Sequence, residues 1–197
     1  MNNKNMVEIV MDDMNKKTDA ALKKQEKLDK IVMDDMNKKT DAALKKQEKL
    51  DKIFMNTADQ FATLSHCVSH QVGSVIVKDD RIIATGYNGT PMGMVNCDQI
   101  FVEYKPEEYR EAHTEWSNAN EIHAEMNALI FCAKNGIKIE NATIYSTVQP
   151  CQHCLKNLIQ VGIKRIVYKI PYDKAVHSIF LTKHMQKNNI IIEQIKE

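Results

Sequence analysis

No stretch of this chain is apolar for anything like the eighteen or so residues that crossing a bilayer requires. Nor does the N-terminus pair an apolar core with a small-residue cleavage site. A soluble, cytoplasmic protein is the expectation. Charge of one sign is lacking too: 27 Lys and Arg stand against 26 Asp and Glu, a formal net of +1. Composition therefore offers no electrostatic ground for nucleic-acid or membrane-surface binding. The five cysteines, Cys67, Cys97, Cys132, Cys151 and Cys154, are an odd number in a chain with no export signal. That argues against a disulfide framework, and clustered thiols are better read as metal ligands. At 197 residues the chain has room for one compact domain and an extension.

What is present begins with a perfect repeat. IVMDDMNKKTDAALKKQEKLDK runs from Ile9 to Lys30 and recurs unchanged from Ile31 to Lys52. The unit has no Gly or Pro, and Val10, Met14, Ala21 and Leu28 stand three, four or seven apart with Thr18 in the stripe, so it predicts a helix. Two 11-residue units per repeat favour a slight right-handed supercoil. Two readings stay open: a coiled coil that assembles subunits, or a charged, solvated helix. The stripe is thin, with Met, Ala and Thr where a strong seam has Leu and Ile. Nothing in it suggests chemistry. Residues 1–52 are read as a helical arm and 53–197 as the globular domain.

In that domain Phe54, Ala58, Phe61, Ala62 and Leu64 suit one buried face of a helix. Val72–Val77 and Arg81–Thr85 are β-branched runs around Lys78-Asp79-Asp80, a hairpin signal. Gly86–Gly93 reads as a turn-rich loop. Glu121–Lys134 reads as a helix burying Ala124, Ala128, Leu129 and Phe131 and stopped by Asn135-Gly136. A strand over Ala142–Val148 leads to a helix opened by Pro150 and running through Gln160. A strand over Arg165–Ile170, a helix over about 174–187 and a strand over Ile190–Ile195 complete the series. A hairpin followed by alternating helices and strands is an α/β pattern, a mixed sheet covered by helices on both faces.

The chemistry concentrates in two short motifs. His123-Ala-Glu125 begins one predicted helix, and Pro150-Cys151-Gln-His-Cys154 begins another. Cysteines three apart at a helix start point to one place, and the partial positive charge of helix N-termini favours thiolate. One His and two thiolates leave the fourth tetrahedral position of zinc open, as a catalytic site needs and a structural one does not. Glu125, two residues past the ligand His123, is placed to move protons without ligating. His-x-Glu with Pro-Cys-x-x-Cys is the zinc deaminase signature.

On these motifs the chain resembles the cytidine deaminase superfamily, and within it the dCMP deaminases of phage and viral type. The resemblance covers roughly Phe54 to Ile195. It is carried by Val72-Gly-Ser-Val-Ile-Val, Gly86-Tyr-Asn-Gly-Thr-Pro-Met-Gly, His113-Thr-Glu-Trp through His123-Ala-Glu-Met-Asn-Ala, and Pro150-Cys151-x-x-Cys154. It implies a three-layer α/β/α fold with a five-stranded mixed sheet, homo-oligomers that are often hexamers, and zinc-dependent conversion of dCMP to dUMP. It also implies that Asn88 holds substrate and that Tyr172 lies near the base. A second, structural zinc on Cys67, Cys97, His113 and Glu121 follows from the same likeness, as do dCTP and dTTP as effectors. The segment between Cys97 and His113 is shorter than in phage relatives.

Other readings compete. A nucleoside, base or tRNA deaminase would share parts of the signature. Free-cytidine enzymes usually carry Cys where His123 stands, and tRNA enzymes a basic surface that the net charge does not suggest. An inactive, zinc-stabilised assembly protein would gain nothing from an intact Glu125. Cys132, beside Phe131 and Ala133, reads as a small buried side chain. His66, His70, His177 and His184 lack ligand spacing, and His153 reads as outward-facing.

Overall fold

The computed structural model describes residues 6–173 and 177–195. The chain divides into two compact units, Met1–Gln47 and Glu48–Glu197. Helix α1 is Met6–Ala62, the long helix expected of a repeat without Gly or Pro. In the first unit every residue from 22 to 47 is exposed, including Leu28, Val32, Met36 and Leu44.

The second unit is built on five strands: β1 (Gly73–Lys78), β2 (Arg81–Tyr87), β3 (Thr143–Val148), β4 (Arg165–Ile170) and β5 (Ile191–Gln194). Their order is β2-β1-β3-β4-β5, with β1 antiparallel to both neighbours and β3, β4 and β5 parallel. This is the expected five-stranded mixed sheet. The hairpin closes on Asp79 and Asp80, both left-handed at φ 52° and 58°, between the paired Lys78 and Arg81. Two central residues with positive φ match the twist of the strands they join. The helices are α2 (Cys97–Ile100), α3 (Pro106–Asn120), α4 (Ala124–Asn135), α5 (Gln152–Gln160) and α6 (Ile179–Lys187).

Strand alternation sorts the core into two layers. Ile76, Ile144 and Ile166 pack with Ala128, Leu129 and Cys132 of α4, with Leu155 and Leu158 of α5 and with Met185 of α6. Val75, Val77, Tyr145 and Val167 face the other way, onto Phe54, Met55 and Ala58 of α1. Two glycines allow the helices to close on the sheet. A Cβ on Gly73 would stand 2.0 Å from the Ala58 carbonyl oxygen, and one on Gly86 would stand 2.2 Å from that of Ala124. Asp51 pins α1 to the sheet: its carboxylate takes two hydrogen bonds from Arg165 at 2.6 and 2.7 Å and one from the Tyr145 hydroxyl at 2.7 Å.

Several expectations are corrected. Phe131 is 48% exposed, because α4 buries positions 124, 125, 128, 129 and 132, a stripe that residue 131 falls outside. Leu64 is exposed because α1 stops at Ala62 and the chain turns. Strand β2 runs through Tyr87, so Gly86 is a strand residue and the loop starts later. Glu121 caps the end of α3, and the next helix starts only at Ala124. Helices α2 and α3 lie in a region read as loop. The last helix begins at Ile179, and residues 174–176 of its expected first turn lie outside the described residues.

Candidate active site and metal centres

The strand directions bring the motif residues to one end of the sheet. β3 and β4 end there, leading to Cys151 and Tyr172. β1, antiparallel to β3, begins there, and β2 ends there at Asn88. The carboxyl ends of parallel strands are where open α/β sheets place ligands.

His123 is the N-cap of α4 and Cys151 the N-cap of α5, both in extended backbone conformations. Asn127 and Leu155 N–H groups return to their carbonyls and start each helix. Two helix N-termini thus converge on one point. His123 Nδ1 lies 3.6 Å from the Cys151 sulfur and 3.3 Å from that of Cys154. Tetrahedral zinc with ordinary Zn–S and Zn–N bonds would hold nitrogen and sulfur about 3.5 Å apart. The donor atoms therefore fit zinc as they stand. His123 is exposed, Cys151 half-buried and Cys154 buried, so the cluster is open on one side. Cys151 is pulled down to about 3, first by the hydrogen bond with the Cys154 thiol and then, against burial, by that with His123. Cys154 is raised, first by the same bond and then by burial. His123 is raised, first by its bond with Cys151.

Glu125, in the first turn of α4, is buried at 4% exposure. Burial raises its carboxyl above the usual range, and a hydrogen bond with Cys154 places it against the cluster. It is not one of the three clustered donors. A proton-carrying group beside an open three-donor metal site can take a proton from water and return it to a leaving group.

Asn88 is buried, and its amide is spent on the backbone: Oδ1 accepts from the Val72 N–H at 2.8 Å and Nδ2 donates to the His70 carbonyl at 2.9 Å. It fixes the segment entering β1. Tyr172 is half-buried, its phenol raised by burial and then by the nearby Cys151.

A second cluster joins Cys67, Cys97 and His113, all buried. His113 Nε2 is 3.5 Å from the Cys67 sulfur and 3.2 Å from that of Cys97. The ring is held between Phe101 and Tyr104, with centroids at 5.1 and 5.2 Å. Burial pushes Cys67 up, Cys97 up to about 12 and His113 down. Glu121 stands outside that trio, but its charge acts on all three groups. Its Oε2 accepts from Ser117 at 2.6 Å, while its Oε1 is buried with no partner. A buried carboxylate oxygen without a donor fits a cation ligand. The closed surroundings suit a structural zinc. His153 is exposed and Cys132 buried, and His66 pairs with Asp98 at 2.8 Å.

Sequence reasoning missed several supports. Ser74 donates to the Ala124 carbonyl at 2.8 Å, and Asn127 to the Tyr87 carbonyl at 2.7 Å, fixing the turn that carries His123 and Glu125. Asn127 had a signal, its place in His-Ala-Glu-x-Asn-Ala; Ser74, inside a β-branched run, had none.

The family model for the cytidine and deoxycytidylate deaminase zinc-binding region matches residues 48–170. Deoxycytidylate deaminase of Enterobacteria phage T2 is 46% identical over 139 residues, 56% of this chain and 74% of that protein. ComE operon protein 2 of Bacillus subtilis is 35% identical over 138 residues, 68% of this chain and 65% of that protein. The crystal structure of dCMP deaminase from the cyanophage S-TIM5 in complex with dCMP and dUMP superposes with a TM-score of 0.59 at 28% identity, covering 74% of this chain and 96% of that one.

Proposed function

The chain belongs to the cytidine and deoxycytidylate deaminase zinc-binding family, and we propose that its reaction is the hydrolytic deamination of dCMP to dUMP and ammonia. The observation that carries the chemistry is a buried Glu125 against an open His123, Cys151 and Cys154 cluster at two helix N-termini. The likeness to deoxycytidylate deaminases supports the substrate.

In this mechanism His123 Nδ1 and the two thiolates hold zinc. When bound there, zinc is a Lewis acid that makes water nucleophilic near neutral pH. Glu125 accepts the proton of the attacking water and passes it to ring N3, which makes C4 electrophilic. Glu125 then protonates the amine as the C4–N bond breaks, and ammonia leaves. Burial keeps its carboxyl able to hold that proton. Asn88 and the backbone it orders hold the nucleotide, and Tyr172 lies beside the base. Cys67, Cys97, His113 and Glu121 hold a second zinc that ties the end of α1, α2 and α3 together. Residues 1–52 serve as a helical arm outside the chemistry of 53–197. A homo-oligomer, activation by dCTP and inhibition by dTTP belong to the same reading.

Ammonia release from dCMP, dCTP, cytidine, cytosine and tRNA tests it, with the two triphosphates added in a second series. Turnover of dCMP well above the others is the expected result. Preference for cytidine, cytosine or tRNA would replace the substrate, and silence on all five would remove the activity.

A further inference from the structure

The ladder between β3 and β4 ends in an unusual way. The Gln149 N–H donates to the Ile170 carbonyl at 2.8 Å, the last backbone rung before Pro150 and Cys151. On the facing strand Pro171 follows, and proline has no N–H to continue the ladder. Tyr172 is therefore the first residue past β4 with a backbone donor to place. Its N–H donates at 3.2 Å to Oε1 of the Gln149 side chain. A side-chain amide supplies the rung the backbone cannot.

We propose that Gln149 is a positioning residue, holding Tyr172 beside the Cys151 end of the metal cluster through that hydrogen bond. Gln149 itself is rigid, since its own backbone is a rung of the sheet and the residues after it run into the ligand Cys151. Tyr172, so tethered, is half-buried and close enough to Cys151 for the two to interact electrostatically. A second stitch lies next to the first: His177 Nε2 is 3.3 Å from the Pro150 carbonyl, the residue between Gln149 and the metal ligand. Both sides of the 172–177 stretch are thus fastened to the two residues preceding Cys151. Without the Gln149 acceptor, the Tyr172 amide has only solvent to turn to, and its ring is free to leave the site.

The proposal rests on the dCMP reading above for its kinetic readout. Gln149→Met keeps the length of the side chain and removes the acceptor, while Gln149→Glu keeps an acceptor oxygen. Steady-state kinetics on dCMP, zinc content, thermal unfolding and hydrogen exchange at the Tyr172 amide are compared for both against the unmutated protein. In Q149M we expect KM for dCMP to rise about five-fold, the loss of one hydrogen bond, with kcat within about two-fold and zinc unchanged. The unfolding midpoint should stay within about 3 °C, and the Tyr172 amide should exchange roughly ten-fold faster. Q149E should restore both KM and amide protection. Q149E behaving as Q149M in exchange, or Q149M losing kcat and stability together with KM unmoved, overturns the tether. If the unmutated protein releases no ammonia from dCMP, the substrate reading falls, and the exchange data then stand as the test of the tether.

Discussion

Deleting residues 31–52 removes one copy of the repeat and joins Lys30 to Ile53, so the domain is again preceded by Glu-Lys-Leu-Asp-Lys, now from Glu26 to Lys30. Leu28 and Asp29 then take the places of Leu50 and Asp51. The second of these matters for stability. Asp51 accepts two hydrogen bonds from Arg165 and one from Tyr145, and the Asp51 and Arg165 side chains are 11% and 21% exposed. Removing one member of a buried pair leaves the other charge uncompensated and costs about 3–5 kcal/mol. Arg165 keeps its bond to the partly exposed Glu193 at 2.7 Å, so Asp51→Ala should cost about 3 kcal/mol, the lower end of that range. The 31–52 deletion should cost less than about 1 kcal/mol, and adding Asp29→Ala to it should restore the full loss of about 3 kcal/mol. A chain starting at Ile53 lacks both copies and should be at least as unstable as Asp51→Ala. Urea unfolding followed by the single Trp116, which stacks on Phe101 with centroids 5.7 Å apart, reads all four variants at one protein concentration. If the 31–52 deletion is as unstable as Asp51→Ala, or if Asp29→Ala adds nothing to it, Asp29 has not inherited the pair and the reasoning fails.

Glu125→Gln should retain zinc and fold while turnover falls at least about a hundred-fold; metal content dropping alongside activity would make Glu125 a ligand instead. Metal analysis should return two zinc ions per chain, and Cys97→Ser should lose one of them and chiefly lower the unfolding midpoint; a single zinc in the unmutated protein would remove the second site. Gly86→Ala forces a Cβ to within 2.2 Å of the Ala124 carbonyl oxygen and 2.6 Å of the Ala128 nitrogen. It should cost about 1–3 kcal/mol by overpacking and weaken both zinc retention and turnover, because the displaced turn carries His123 and Glu125. Gly89→Ala, whose added Cβ meets nothing within 4 Å, should leave the unfolding midpoint unchanged.

The sheet was legible because its signals are local: β-branched runs of strand length, two aspartates at a hairpin turn, a glycine after a helix. The metal cluster was legible for a related reason. His123 and Cys151 are N-caps, so the residues that start the helices are also the donors, and each half of the site is written within a few consecutive residues. Helix α3 escaped notice because its buried residue is one histidine, His113, and Pro-Glu-Glu-Tyr-Arg-Glu-Ala-His-Thr-Glu-Trp has no apolar stripe to find. Its usable signal was Pro106 followed by Glu107 and Glu108, the pattern of a helix start. The Asp51 clasp could not have been found at all from pattern. Asp29 and Asp51 stand in identical 22-residue surroundings, yet Asp29 is exposed and bonded only locally by Gln25 at 2.8 Å, while Asp51 is buried on Arg165. Composition, charge and periodicity are the same for both, so none of them can separate the two. What separates them is the distance along α1 to Phe54, Met55 and Ala58, the residues that seat the helix on Val75, Tyr145 and Val167. Asp51 is buried because Phe54 is buried one turn later, and a residue 114 positions away happens to have its guanidinium at that height.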